Sequence, residues 1–187
     1  MDTHQVESPD MSMTTRRRLI ASLLAGGAVV AAAPLFAGRA SAADSTEPPR
    51  RDAADNNALN VCFEREARMA ATYRTVLGGL SDSDLAAMTL ILDHHVAYAD
   101  AIKGYLAVKA VTPNSAPLAN PSGSIASIAR QLAALEDQTA TIHTDTLATI
   151  KGIDAAALLA SIVTVEARHA AALELVAGAS PIAAVGN

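Results

Sequence analysis

The sequence predicts an all-α protein: a four-helix bundle of two antiparallel helical hairpins joined by a long crossover loop. Three observations predict it. Apolar residues recur at three-and-four spacing in four successive segments. Two of the three connections are short enough to force an antiparallel return, and the third is long and rich in Pro, Asn and Ser. Ala dominates the apolar set, with aromatics at 3% and no Trp. That favours helix over sheet, because Ala loses no side-chain entropy in a helix and strand formers are sparse.

The first helical stripe is Leu59, Cys62, Phe63, Met69, Ala70, Tyr73, Val76 and Leu77, closed by Gly78-Gly79. Ser81 followed by Asp84 reads as a capping signal for the second helix, whose stripe is Leu85, Met88, Leu92, Val96, Ala99, Ile102 and Leu106. The segment "TPNSAPLANPSG", Thr112 to Gly123, cannot continue a helix. Its 12 residues span roughly 40 Å when extended, and a helix of about 25 residues is roughly 37 Å long. The loop can therefore return along the whole bundle and leave helices two and three parallel. The third helix is expected from about Ser124 to Lys151, in phase at Ile125, Ile128, Leu132, Leu135, Thr139, Ile142 and Ile150. Gly152 stops it, Asp154 is the expected cap of the fourth, and Leu158, Leu159, Ile162, Val165, Leu173 and Val176 carry the last stripe to Gly178.

The N-terminal segment belongs to targeting rather than to the fold. Arg16 to Arg18 precede an apolar run from Leu19 to Ala37, and Ala40-Ser41-Ala42 supplies small residues for cleavage. The order Arg16-Arg17-Arg18-Leu19-Ile20 is similar to a twin-arginine export signal, with two Arg before a variable residue and two hydrophobic ones. Met11 and Met13 are alternative starts. The competing reading is an uncleaved membrane anchor, for which the run is just long enough. The expected organisation is a signal over 1–42, a polar linker over 43–57, the bundle over 58–178 and a tail over 179–187, with the mature protein in the periplasm, cell envelope or extracellular space.

Composition narrows the function. From Ala43 onward there are 10 Lys and Arg against 16 Asp and Glu, a net charge of −6 that argues against nucleic acid as a partner. Cys62, the single cysteine, has no intramolecular disulfide partner and reads as small core filler. Nucleophile elbows, phosphate loops and Cys-x-x-Cys pairs do not occur after residue 42.

Ionisable residues interrupt the apolar stripes where a packed core tolerates them only when compensated. Glu66 is in phase with Phe63, Ala70 and Tyr73; His95 lies between Leu92 and Ala99; Glu136 lies between Leu132 and Ala140; Glu166 and His169 share the face of Ile162 and Leu173. Residues at one level of a hairpin are equidistant from its turn. Glu66 and His95 average to about 80, within the first turn, and Glu136 and Glu166 to about 151, at the second. The hairpins thus set these groups at matching heights near mid-bundle. Carboxylates and imidazoles gathered in a dry helical core supply the oxygen and nitrogen donors of a divalent metal. His94, Asp100 and His143 are expected to face solvent.

The phrase "LASIVTVEARHAAAL", Leu159 to Leu173, closely resembles the fourth helix of the exported ferritin-like domain family related to plant desiccation-related proteins. "LNVCFEREARMAATY", Leu59 to Tyr73, and "LAALEDQTA", Leu132 to Ala140, resemble its first and third helices, with the family Glu falling on Glu66 and Glu136. The resemblance implies a ferritin-like four-helix bundle, often behind a twin-arginine signal. The di-iron pattern of ferritin-like proteins takes a Glu from each of two helices and Glu-x-x-His from each of the other two. Glu66, Glu136 and Glu166 with His169 match three of these contributions. In "ILDHHVAY" His95 matches the family His, but Leu92 stands where the fourth Glu belongs, and Asp93 is shorter and about 100° further around the helix.

The implied function is a carboxylate and histidine site for iron or manganese, mononuclear or an impaired dinuclear one, formed by Glu66, His95, Glu136, Glu166 and His169, with reaction toward dioxygen or peroxide as its chemistry. The alternative is a metal-free structural or stress-related bundle, its carboxylates paired with His95, His169, Arg65 or Arg68.

Overall fold

The computed structural model describes residues 50–80 and 82–178. The expected signal, the part of the expected linker before residue 50, the expected C-terminal tail and the Ser81 cap lie outside the described residues. Among the described residues the structure is all-α, as expected, with helices α1 (Asn56–Val76), α2 (Asp82–Leu106), α3 (Ile125–Leu147) and α4 (Ile153–Val176). Each carries one apolar face, and in all four that face is buried.

The helix ends differ from expectation in three places. Residues 53–57, read as the end of the linker, form a 3-10 turn at Ala53–Asp55 and the first residues of α1, with the Asp52 side chain accepting from the Ala54 amide at 2.9 Å. Helix α3 stops at Leu147 rather than near Lys151. Its last carbonyls are taken by a tightened turn in which the Ala148 amide bonds Thr144 O and the Thr149 amide bonds Thr146 O, while the Thr149 hydroxyl competes for Thr146 O at 2.8 Å. The N-cap of α4 is Gly152, not Asp154. Asp154 sits in the first turn and accepts from the Arg50 amide at 2.7 Å.

That bond is part of a strap. The buried Asp55 carboxylate accepts from the Lys151 amide at 3.0 Å and the Gly152 amide at 2.7 Å, and the Tyr105 hydroxyl donates to Arg50 O at 2.8 Å. The segment before α1 thus satisfies backbone donors at the α3–α4 turn and ties both hairpins together at one end.

The loop after α2 returns along α1. The Val111 amide donates to Asn60 Oδ1, Arg68 Nε donates to Ala116 O, and the Leu118 amide donates to the Thr72 hydroxyl. These partners climb α1 in order from Asn60 through Arg68 to Thr72, so the chain travels most of the length of the bundle before α3 begins. Ser124 then caps α3, its hydroxyl accepting from the Ser127 amide at 3.3 Å. Helices α2 and α3 are consequently parallel, α1 packs on α2 and α3, and α4 packs on α3 and α2. If α1 and α4 are taken to run upward, α2 and α3 run downward.

The core divides into two apolar clusters. The upper holds Met69, Tyr73, Met88, Leu92, Leu132 and Leu173. The lower holds Leu59, Phe63, Tyr98, Ile102, Leu159 and Ile162. Between them lies a layer of ionisable side chains. Helix α4 is long and apolar enough by composition to cross a membrane, but half of that stretch is buried inside the bundle and it carries Glu166 and His169 into the polar layer.

Gly152 is required for steric reasons. A Cβ there would lie 2.8 Å from the Tyr105 hydroxyl and 2.9 Å from Asp55 Oδ2, inside contact distance of the two groups that form the strap. Gly152→Ala is expected to destabilise the fold by about 1–3 kcal/mol, read as a lower urea midpoint with an unchanged slope.

Candidate metal centre

The five residues singled out from sequence, Glu66, His95, Glu136, Glu166 and His169, all have zero exposure and meet in the polar layer. His95 links three helices: Nδ1 lies 2.7 Å from Glu66 Oε2 and Nε2 lies 3.0 Å from Glu136 Oε1. Glu136 is the most heavily bonded group. It accepts from the Tyr73 hydroxyl and His95 on Oε1, and its Oε2 lies 3.3 Å from His169 Nδ1.

Two expectations are corrected. His143 does not face solvent; it is fully buried, with Nδ1 3.1 Å from Glu166 and Nε2 3.4 Å from Glu66 Oε1. His94 does not face solvent either; at 7% exposure its Nδ1 lies 2.8 Å from His169 Nε2. Asp100 is exposed, as expected, and Asp93 is exposed as well.

Side-chain tilt explains why His143 escapes a reading by height. A helical Cα–Cβ bond leans toward the helix N-terminus. On α3, which runs downward, that lean is upward, so His143 rises from a low backbone position. On α1 and α4, which run upward, Glu66 and Glu166 lean down to meet it. By the same rule His95 and Glu136 lean up and His169 leans down. The six side chains therefore sort into two levels: His95, Glu136 and His169 above, Glu66, His143 and Glu166 below. Within each trio one donor atom per residue lies within 4.8 Å of the other two, close enough to share an ion.

The arginines do not complete the site. Arg65 Nε donates to the Thr139 hydroxyl at 2.8 Å and its Nη2 to Leu135 O at 3.2 Å. Arg68 bonds Ala116 O and lies 4.0 Å from Glu64. Leu92, at the position of the missing carboxylate, packs in the upper apolar cluster.

Electrostatics separates the groups. Burial alone would lower His95, but Glu136 and Glu66 on either side overcome it and push its pKa up to about 10. His143 is likewise opposed by burial yet raised to about 11, through the Cys62 thiol beside it and the Glu166 and Glu66 carboxylates. Burial works against the Glu136 charge, but His95 and His169 hold its pKa far below the carboxylate range. Glu66 is lowered by His95 against the same penalty. Glu166 goes the other way, raised to about 8 by burial and by Glu66. His94 is lowered to about 4 by burial and by His169. In the absence of an ion the layer would pair two imidazolium groups with two carboxylates and keep Glu166 protonated near neutrality.

The donor set fits a metal. Glu66 Oε1, Glu166 Oε1 and His143 Nε2 are buried and make no hydrogen bond; they have only ion-pair approaches to each other across the His143 ring, 3.4 Å from Nε2 to Glu66 and 3.1 Å from Nδ1 to Glu166, and a cation would supply the bonds they lack. An ion held by His169 Nδ1 would leave its Nε2–H to His94, the outer hydrogen bond that fixes the tautomer of a ligating imidazole.

These shifts define a stability profile for the metal-free protein. Glu136 is depressed from 4.5, so its contribution is present above about pH 4.5 and lost as pH falls below it. His95 is raised from 6.5 to about 10, so its contribution is complete below about pH 6.5 and lost as pH rises through 10. Melting temperature measured by calorimetry is expected to peak between about pH 4.5 and 6.5 and to fall on both sides. The double variant Glu136→Gln/His95→Gln is expected to make both limbs shallower, leaving the part contributed by Glu66 on the acid side and by His143 on the alkaline side.

No curated protein and no solved structure matches the chain. A family model described as the ferritin-like domain matches residues 54–179, which contain all four helices and every residue of the polar layer, and the chain belongs to that ferritin-like domain family.

Proposed function

We propose that this chain is an exported ferritin-like protein that holds a first-row divalent ion, iron or manganese, in its core through the five residues Glu66, His95, Glu136, Glu166 and His169. The observation that carries the reading is the convergence of His95, Glu136 and His169, from three helices, on one buried point with a donor atom from each within 4.8 Å of the others. Two imidazoles and a carboxylate are the donor chemistry of such ions. When bound, iron or manganese supplies redox chemistry toward dioxygen or peroxide. The chain's own part is to position and protect. Tyr73 and His95 hold Glu136 Oε1, His94 orients His169, and the two apolar clusters keep bulk water from the layer.

A metal-free structural role is the second reading. It is favoured by the engagement of both His95 nitrogens by carboxylates, which balances the buried charge without an ion. Elemental analysis of protein purified without a nickel column separates the two. The metal reading expects about one or two equivalents of iron or manganese, reduced or lost in Glu136→Ala and in Glu166→Ala. Protein that is metal-free and keeps its melting temperature when ferrous or manganous ion is added is the structural bundle.

Export and membership of the desiccation-related branch rest on sequence: the run Arg16 to Ile20, the small residues Ala40 to Ala42, and the phrase "LASIVTVEARHAAAL". The double variant Arg16→Lys/Arg17→Lys is expected to retain the chain in the cytoplasm, measured by fractionation. Unchanged export of that variant would exclude the twin-arginine route.

A further inference from the structure

We propose that His143 replaces the carboxylate missing at Leu92 and makes the lower trio, Glu66, His143 and Glu166, a second metal subsite, so that the core takes two divalent ions on stacked levels. The inference rests on the metal-binding reading above and adds a ligand that the ferritin-like pattern does not contain. In that pattern helix two contributes Glu-x-x-His; here Leu92 is committed to the upper apolar cluster, and α2 supplies His95 to the trios while His94 reaches only the far nitrogen of His169. Helix α3 makes up the loss by contributing two residues, Glu136 and His143, seven positions apart and so on one face.

Three observations support a built site. All three side chains of the lower trio have zero exposure. One donor atom from each lies within 4.8 Å of the other two, the same closeness as in the upper trio. Each of the three also carries a buried polar atom that makes no hydrogen bond, Glu66 Oε1, Glu166 Oε1 and His143 Nε2, with only ion-pair approaches of 3.1 and 3.4 Å inside the trio itself. Glu136, in the upper trio, has both its oxygens engaged instead.

The two levels are not equivalent. The upper offers two imidazoles and one carboxylate, the lower two carboxylates and one imidazole. Nitrogen-rich sites favour iron, zinc and copper, and oxygen-rich sites shift preference toward manganese. The levels touch through the His95 Nδ1 to Glu66 Oε2 bond of 2.7 Å, so a ligand of one orients a ligand of the other. Filling is therefore stepwise, upper level first for ferrous ion.

The test is metal stoichiometry by equilibrium dialysis of the metal-free full chain against ferrous ion under anaerobic conditions, and separately against manganous ion. Wild type is expected to bind about two equivalents, His143→Ala about one, and His143→Glu about two again. Two equivalents in His143→Ala, or one in wild type, overturns the second subsite and leaves the upper site standing. None in wild type sinks the metal-binding reading itself. Should the variants fail to fold, anomalous diffraction from manganese-soaked crystals of wild type decides the matter. A peak bonded to the His143 imidazole supports the proposal, and a single peak at the upper trio overturns it.

Discussion

Six ionisable side chains with no exposure occupy one layer of this bundle, and their mutual compensation is the constraint on which the rest depends. An isolated buried charge costs several kcal/mol even after relaxation, so Glu66, His95, Glu136, His143, Glu166 and His169 are tolerable only together. No helix can slip against its neighbours without stranding a carboxylate or an imidazole in an apolar cluster. The layer contributes little net stability, because desolvation opposes the ion pairs, but it sets the register of all four helices. The clusters above and below it supply the burial that drives folding.

The connections serve that register. A strap from Arg50 to Asp55 fastens the start of α1 to the α3–α4 turn, and the crossover loop is bonded to α1 at Asn60, Arg68 and Thr72. Together they hold the hairpins so that α2 and α3 run parallel. That direction matters chemically. Because side chains lean toward the N-terminus of their helix, two helices running each way aim their polar groups at each other from above and below. Four helices whose side chains all leaned one way would spread the same six residues along the axis.

Much of the fold was legible. Stripe phase located four helices, and the turns at Gly78 and Gly152 dictated hairpins. The errors were at helix ends, where tertiary partners compete: α3 stops early because its last carbonyls bond within a Thr-rich turn and Asp55 takes the Lys151 and Gly152 amides. Of the polar layer, Glu66, His95, Glu136 and Glu166 were visible because each breaks an apolar stripe at a height matched across its hairpin, and His169 because it shares the apolar face of α4 three residues after Glu166. His94 was not visible, since it precedes His95 and lies off the main stripe; only the packing of α4 against α2 covers it and gives it His169 as a partner.

The sequence by itself determined the helical class and the hairpin pairing and allowed the crossover, because periodicity and turn length are local properties; that Leu92 stands in place of a carboxylate is what the family resemblance implies. Tertiary structure decided that His143 is a core residue and that the donors form two levels. The physical reason is that backbone height counts residues along a helix, whereas donor position depends on which way the side chain leans. That lean acquires meaning only when a neighbouring helix runs the other way.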